Sequence, residues 1–184
     1  MLASVVTTSA EVVHYELVVT TCHLEIGDVS TWTRCYNGTV PGPTLRVKPG
    51  QTLKVSLINS LSADHNEEQE ILNDTGLGQP LTLTELKEEY NKSSFQEAQG
   101  TGSLFGSPNT TNLHLHGLVV SAASPADDVM MAVDPGNVFN YIYHVPSNHM
   151  GGTLWYHPHH HRSTAGQADG GMFGALLVED QPSS

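Results

Sequence analysis

Hydrophobic and polar residues alternate with a period of two along several short runs of the 184-residue chain. Alternate positions of a strand face the same side, so this pattern marks strands with one face buried. Gln51–Asn59 (QTLKVSLIN) shows it most clearly, with Leu53, Val55 and Leu57 sharing a face. Glu11–Thr21 reads as a first strand, and Cys22–Thr33 continues in extended form through a Gly27-Asp28 turn. Thr44–Val47, Asn112–Ser121 and Asn137–Val145 follow as further strands, and the apolar run Met172–Glu179 predicts a central one. Asn37-Gly38, Pro41-Gly42-Pro43 and Lys48-Pro49-Gly50 are turn signals, while Ser124–Pro135 and Pro146–Gly152 read as connections. Roughly seven or eight short strands between turns predict an all-β, Greek-key β-sandwich, one domain over residues 1–184.

Residues 60–110 break the pattern. Nine acidic residues stand there against Lys87 and Lys92 alone. Within them LTLTELKEEY predicts a short helix, with Thr82 and Glu85 as a capping box and Leu81 against Leu86 as a hydrophobic staple. Its polar flanks predict exposed loop, so the segment reads as a long acidic, partly helical insert. A lid or partner surface is the functional alternative to a merely solvated one.

Composition narrows the function. Gly (17) and Pro (10) are plentiful, as turn-rich β chains require. The formal charge of −12 argues against nucleic acid and anionic membranes and would attract cations. No apolar run reaches the roughly 20 residues that span a bilayer. The opening MLASVVTTSAEVV lacks the positive n-region of an export signal. Asn-X-Ser/Thr triplets occur at Asn37, Asn73, Asn91 and Asn109, and carry meaning only on a secretory route. Cys22 and Cys35 would form a disulfide in an oxidising compartment or remain buried thiols in a reducing one.

Two short stretches carry candidate chemistry. NLHLHG (112–117) holds His114 and His116; WYHPH (155–159) holds His157 and His159. Residues i and i+2 of a strand lie on one face, roughly 6.6 Å apart. Two such imidazoles can bind one metal, or each serve one metal of a close pair, and imidazole suits copper, zinc, iron and nickel.

These stretches resemble the two N-terminal copper motifs of the multicopper oxidases, the laccase and bilirubin-oxidase-like family. HLHG matches the first motif and WYHPH the second, while YNGTVPGPTLRV (Tyr36–Val47) matches the NG-x-x-PGPT signature. The likeness covers most of the chain except its start and the acidic insert. It implies a cupredoxin (plastocyanin-like) fold. It further implies part of a trinuclear cluster, one type 2 and two type 3 coppers, that reduces O2 to water with four electrons. By position His114 would bind the type 2 copper, His116 and His157 one type 3 copper, and His159 the other. Asp127 or Asp128 stands where relatives carry an Asp that delivers protons, and Asp127 is the expected one. The alternative is a loop Asp making a turn hydrogen bond.

The departures matter too. His160 and His161 extend the motif and are expected outside the ligand set, bonded to a neighbour or facing solvent. Arg162 stands where relatives commonly have Gly. Neither Cys22 nor Cys35 has the flanking His ligands of a type 1 copper site, and the cluster's other two His-X-His motifs are missing. The chain is therefore expected to be incomplete alone as an enzyme. It would need a complementary C-terminal cupredoxin domain or second chain, with a phenol, amine, pigment or metal ion as reductant. Two other readings stand beside this one: a free-standing copper-binding or buffering protein, and a structural sandwich whose site has decayed. Family analogy implies a secreted or periplasmic location.

Overall fold

The computed structural model describes residues 11–62 and 108–180. Eight strands are found among them: β1 (Val12–Ile26), β2 (Val29–Tyr36), β3 (Gly42–Val47), β4 (Thr52–Asn59), β5 (His114–His116), β6 (Val138–His144), β7 (Gly152–His157) and β8 (Gly174–Val178). They form two four-stranded sheets in the orders β2-β1-β4-β6 and β3-β8-β7-β5. The expected cupredoxin-like β-sandwich is thus what the chain builds. Most of the acidic insert, with its proposed helix, Thr82–Glu85 box and Leu81–Leu86 staple, lies outside the described residues.

Alternation does the work the sequence suggested. Leu53, Val55 and Leu57 of β4 are fully buried, as are Leu17 and Val19 of β1 and Tyr141 and Tyr143 of β6. They pack against Leu45 and Val47 of β3, Tyr156 of β7 and Leu176 and Val178 of β8. β8 runs between β3 and β7, which accounts for its unbroken apolar run. β1 and β2 form a hairpin through Gly27 at φ +62°, and Cys22 is joined to Cys35 across it as a disulfide. Asn109 is buried, its amide between Arg34 and the Ser62 carbonyl, which leaves no room for a glycan.

Two glycines, Gly42 of the NG-x-x-PGPT stretch and Gly174 at the start of β8, act by what they omit. A Cβ at Gly42 would lie 2.7 Å from the Tyr156 hydroxyl and 2.9 Å from Tyr36 Cβ. A Cβ at Gly174 would strike the Tyr156 ring itself. The NG-x-x-PGPT and WYHPH stretches are therefore physically coupled: bare backbone in one makes space for Tyr156 in the other. The phenol then donates to the Pro43 carbonyl at 2.7 Å.

The expected strand over Asn112–Ser121 is shorter than its pattern. Only His114–His116 joins the ladder. Gly117 turns the chain away at φ +92°, a region that favours glycine, and Leu118–Val120 continue outside any strand. A short helix, α1 (Thr164–Asp169), follows the second histidine motif and was not expected.

Candidate metal centre

β5 and β7 pair antiparallel with His114 opposite His157 and His116 opposite Trp155. Cross-strand partners share a face, so the register alone brings three imidazoles and an indole to one side of the sheet. The opposite side carries Leu115 and Tyr156, both buried in the core. The ring centroid of His114 lies 5.5, 5.3 and 5.2 Å from those of His116, His157 and His159. Trp155 stacks on His157 at 4.1 Å and on His116 at 5.1 Å, which limits how either ring can rotate.

The nitrogens are disposed as ligands would be. His116 Nδ1 and His157 Nε2 face one another at 3.4 Å. Two imidazole nitrogens held by one ion at a tetrahedral angle would lie roughly 3.3 Å apart, from metal–nitrogen distances near 2.0 Å. The ligand atoms of His114, His116 and His157 all fall within 4.8 Å of one another. His159 is the fourth member by ring contact, outside that tightest triad. Its Nδ1 is buried without a hydrogen-bond partner among the described residues. A buried polar atom so left is costly, and a metal at or beside this ring would relieve it.

Other groups fix which nitrogen each ring presents. Asp127 Oδ2 lies 2.8 Å from His114 Nδ1, and its Oδ1 accepts the Leu115 N–H at 3.0 Å. One carboxylate thus grips both the ring and the backbone of β5. A proton kept on Nδ1 leaves the Nε2 lone pair for a metal, the arrangement typical of metal-bound histidines. His157 Nδ1 lies 2.9 Å from the Pro158 carbonyl, which directs Nε2 toward His116. Burial holds the His157 imidazole below its ordinary value of 6.5; the bond to Pro158 works the other way, and His114, His116 and His159 add to the lowering. A neutral ring is the form that can ligate.

Several side chains near the site separate cleanly. Asp127 faces His114, whereas Asp128 Oδ1 accepts the Met130 N–H and shapes a turn. His160 bonds Ser163 Oγ through Nδ1 while its carbonyl accepts from Thr164, and His161 is exposed. Arg162 is exposed and takes φ +78°, which explains why glycine suits this position.

Sequence reasoning missed two buried amides. Asn112 Oδ1 accepts the His159 N–H at 2.6 Å, and its Nδ2 donates to the carbonyls of Val129 and Met131. Gln167 of α1 accepts from Thr111 Oγ1 and donates to the carbonyls of Pro108 and Thr110. Together they tie the approach to β5 to the chain that follows β7. An Asn two residues before a His-X-His pair was visible, but nothing in the sequence says what a single amide will bond.

Known proteins similar to this chain in sequence and fold share one family. The chain is 28% identical over 145 residues to the multicopper oxidase mco of Staphylococcus haemolyticus, covering 79% of this chain and 22% of that protein. It is 26% identical over 181 residues to a laccase of Bacillus subtilis, covering 94% and 30% respectively. A multi-copper oxidase structure from Pseudomonas thermotolerans shares the fold with a TM-score of 0.60 at 24% identity, over 96% of this chain and 31% of that one. The chain thus spans between a fifth and a third of the length of these relatives. The sequence pattern of the multicopper oxidases matches residues 18–81 and 105–183, both histidine pairs included. On that match, which takes in well over half its length, the chain belongs to the multicopper oxidase family, whose metal is copper.

Proposed function

We propose that this chain is one cupredoxin domain of a multicopper oxidase and supplies half the histidines of a trinuclear copper cluster. His114 serves the type 2 copper, His116 and His157 one type 3 copper, and His159 the other. The observation that carries this is the facing pair His116 Nδ1 and His157 Nε2, set beside a buried His159 Nδ1 without a hydrogen-bond partner among the described residues. Copper bound here would relay to O2 the four electrons, drawn from a substrate through the rest of the complete enzyme, that with four protons reduce it to two waters.

The chain's own residues would prepare the ligands. Asp127 holds the proton on His114 Nδ1 and aims Nε2 outward. We read the same carboxylate as the proton donor that the family resemblance implies, and its contact with His114 supports that reading. Trp155 covers one side of His157 and keeps part of the site from water.

Four histidines cannot saturate three coppers, so the site is read as incomplete in this chain. Cys22 and Cys35 are spent on a disulfide, so neither offers the thiolate of a type 1 site. Trp155, Val119 and Met150 are 41, 67 and 83% exposed on or beside the histidine strands. Such apolar exposure suits cover by a second cupredoxin domain, in the same protein or another chain. The family pattern skips residues 82–104, in keeping with an insert within a single domain. The disulfide favours an oxidising compartment, so we read the protein as exported.

The test is copper per chain in the wild type and in a variant with His114, His116, His157 and His159 all changed to Ala, with mass and O2 uptake followed on the same sample. The reading expects copper in the wild type alone, with no O2 consumed by the monomer. Equal copper in both would move the site to His160 and His161 or the insert and overturn the assignment. Copper with oligomerisation and O2 uptake would mean that copies of this chain complete the cluster themselves.

A further inference from the structure

We propose that Asn112 is the positioning residue for His159, holding its main chain over the site through a buried side-chain amide; this rests on reading His159 as a metal ligand. The four histidines are not placed by the same means. His114, His116 and His157 lie in paired strands, so ladder register fixes their backbones. β7 ends at His157, and Pro158 carries the chain out of the sheet before His159 is reached. Something other than the ladder must set the last ligand.

The group that does so is the Asn112 amide. Its Oδ1 accepts the His159 backbone N–H at 2.6 Å, a short bond between a fully buried side chain and the main chain of a residue of the candidate site. The orientation of the amide is not arbitrary. Two carbonyls, of Val129 at 2.8 Å and Met131 at 3.1 Å, need the NH2 on one side, and one N–H needs the oxygen on the other. Flipping it would break all three bonds.

The three bonds also join the segments that carry the rest of the site. Asn112 stands two residues before His114, and Val129 and Met131 follow closely on Asp127. One side chain therefore registers the main chain of His159, from which its ring projects, against the segments that carry His114 and the carboxylate on His114. Asn112 is itself anchored on both sides. Thr111 exchanges backbone hydrogen bonds with Val133, and the Leu113 N–H donates to the Tyr141 hydroxyl at 3.1 Å. A rigid seat is what a distance-critical ligand requires, because loss of an outer partner typically weakens a metal site by about 10–100-fold.

The experiment is a cycle of Asn112→Ala, His159→Ala and the double variant in the full chain. Cu(II) alone is titrated against a competing chelator, and the exchange rate of the His159 amide proton is read by NMR in the metal-free protein. Asn112→Ala should weaken Cu(II) binding by about 10–100-fold, and the His159 amide should exchange faster. In the His159→Ala background the same change should weaken it no further, because the residue it positions is already gone. Asn112→Ser, which keeps a small polar group in the pocket, repeats the test if the alanine variant does not fold. An equal loss in both backgrounds would overturn the proposal and make Asn112 a general support of the fold. If His159→Ala leaves Cu(II) affinity unchanged, it is the reading of His159 as a ligand that fails, whatever the amide exchange shows.

Discussion

The two sheets each present histidines on strands, and they treat them in opposite ways. On the β2-β1-β4-β6 sheet every strand imidazole is given a hydroxyl. His14 Nε2 lies 2.9 Å from Ser56 Oγ, His144 Nδ1 lies 3.0 Å from Thr52 Oγ1, and His23 Nε2 lies 2.7 Å from Ser30 Oγ. Across β5 and β7 the imidazoles of His116 and His157 face one another instead, and just past the end of β7 the buried His159 Nδ1 has no partner among the described residues. Residue type and secondary structure are the same in both places. What differs is whether the neighbours complete the ring or leave its lone pair open, and only the second arrangement calls for a metal.

The largest test of that difference is removal of the rings themselves. His116→Ala and His157→Ala should each lower Cu(II) affinity by about 100-fold or more, since a lost ligand should exceed the 10–100-fold typical of a lost outer partner. His14→Ala and His144→Ala should leave it unchanged. Titration with a competing chelator decides the matter, and a comparable loss from either sheet would erase the distinction.

The hydrogen-bond partners give the next largest effect. Ser56 serves His14 and donates onward to Asn140, so Ser56→Ala should disturb only those bonds between β1, β4 and β6 and leave Cu(II) affinity unchanged. Asp127 serves His114, so Asp127→Ala should reduce Cu(II) affinity by about 10–100-fold. It should also lower stability by about 1–3 kcal/mol, because the Leu115 N–H loses its acceptor. Thermal denaturation of the metal-free protein checks the second figure. An Asp127→Ala variant with unaltered copper binding would reduce Asp127 to a loop residue making a turn bond.

The contrast between the sheets was half legible in the sequence. HLH announces a shared strand face by spacing alone, and HPH marks a second pair although only its first histidine lies in a strand, while His14, His23 and His144 stand singly, so the chain itself says which histidines can cluster. Strand alternation likewise exposed Leu53, Val55 and Leu57 as core, and the apolar run at 172–179 as an inner strand. What the sequence hid is of another kind. α1 spans six residues, too few for a helical period to register, and its Ser163 makes no capping bond. Asn112 and Gln167 read as ordinary polar residues because their partners are distant main-chain groups, brought close only by folding. Cys22 and Cys35 had only each other as partners, but that they come together, with Cα atoms 6.1 Å apart, follows from the hairpin and not from their spacing.

Acid should act on the histidine sheet next. Burial holds His157 and His160 below 6.5, so between those lowered values and 6.5 the unfolded chain binds protons that the folded protein does not. Stability of the metal-free protein therefore falls as pH drops below 6.5 and levels once the folded rings also protonate. Melting temperatures taken from about pH 8 to about pH 5 should show this decline, and His157→Gln should flatten it. A decline of the same size in that variant would place the titration elsewhere.

The smallest effect separates the backbone of the site from its chemistry. Asn37 and Arg162 are the two non-glycine residues with positive φ among those described, at +53° and +78°. Asn37 suits its position: its Oδ1 accepts the Val18 N–H and its Nδ2 donates to the Glu16 carbonyl, so the turn is tied into β1. Arg162 is exposed, and for a side chain of its kind the left-handed region costs about 1–2 kcal/mol. Glycine removes that strain but gives back about 0.4–1 kcal/mol through the freedom of the unfolded chain. Arg162→Gly should therefore raise stability by roughly 0.5–1 kcal/mol, the balance of those two terms. Asn37→Gly should lower it, because two hydrogen bonds go with the side chain. Cu(II) affinity should not move in Arg162→Gly, since the histidines are held by the ladder and by Asn112 rather than by this turn. A change in copper binding there would mean that the turn after His161 sets the ligands, and the division between strand-held and amide-held histidines would have to be redrawn.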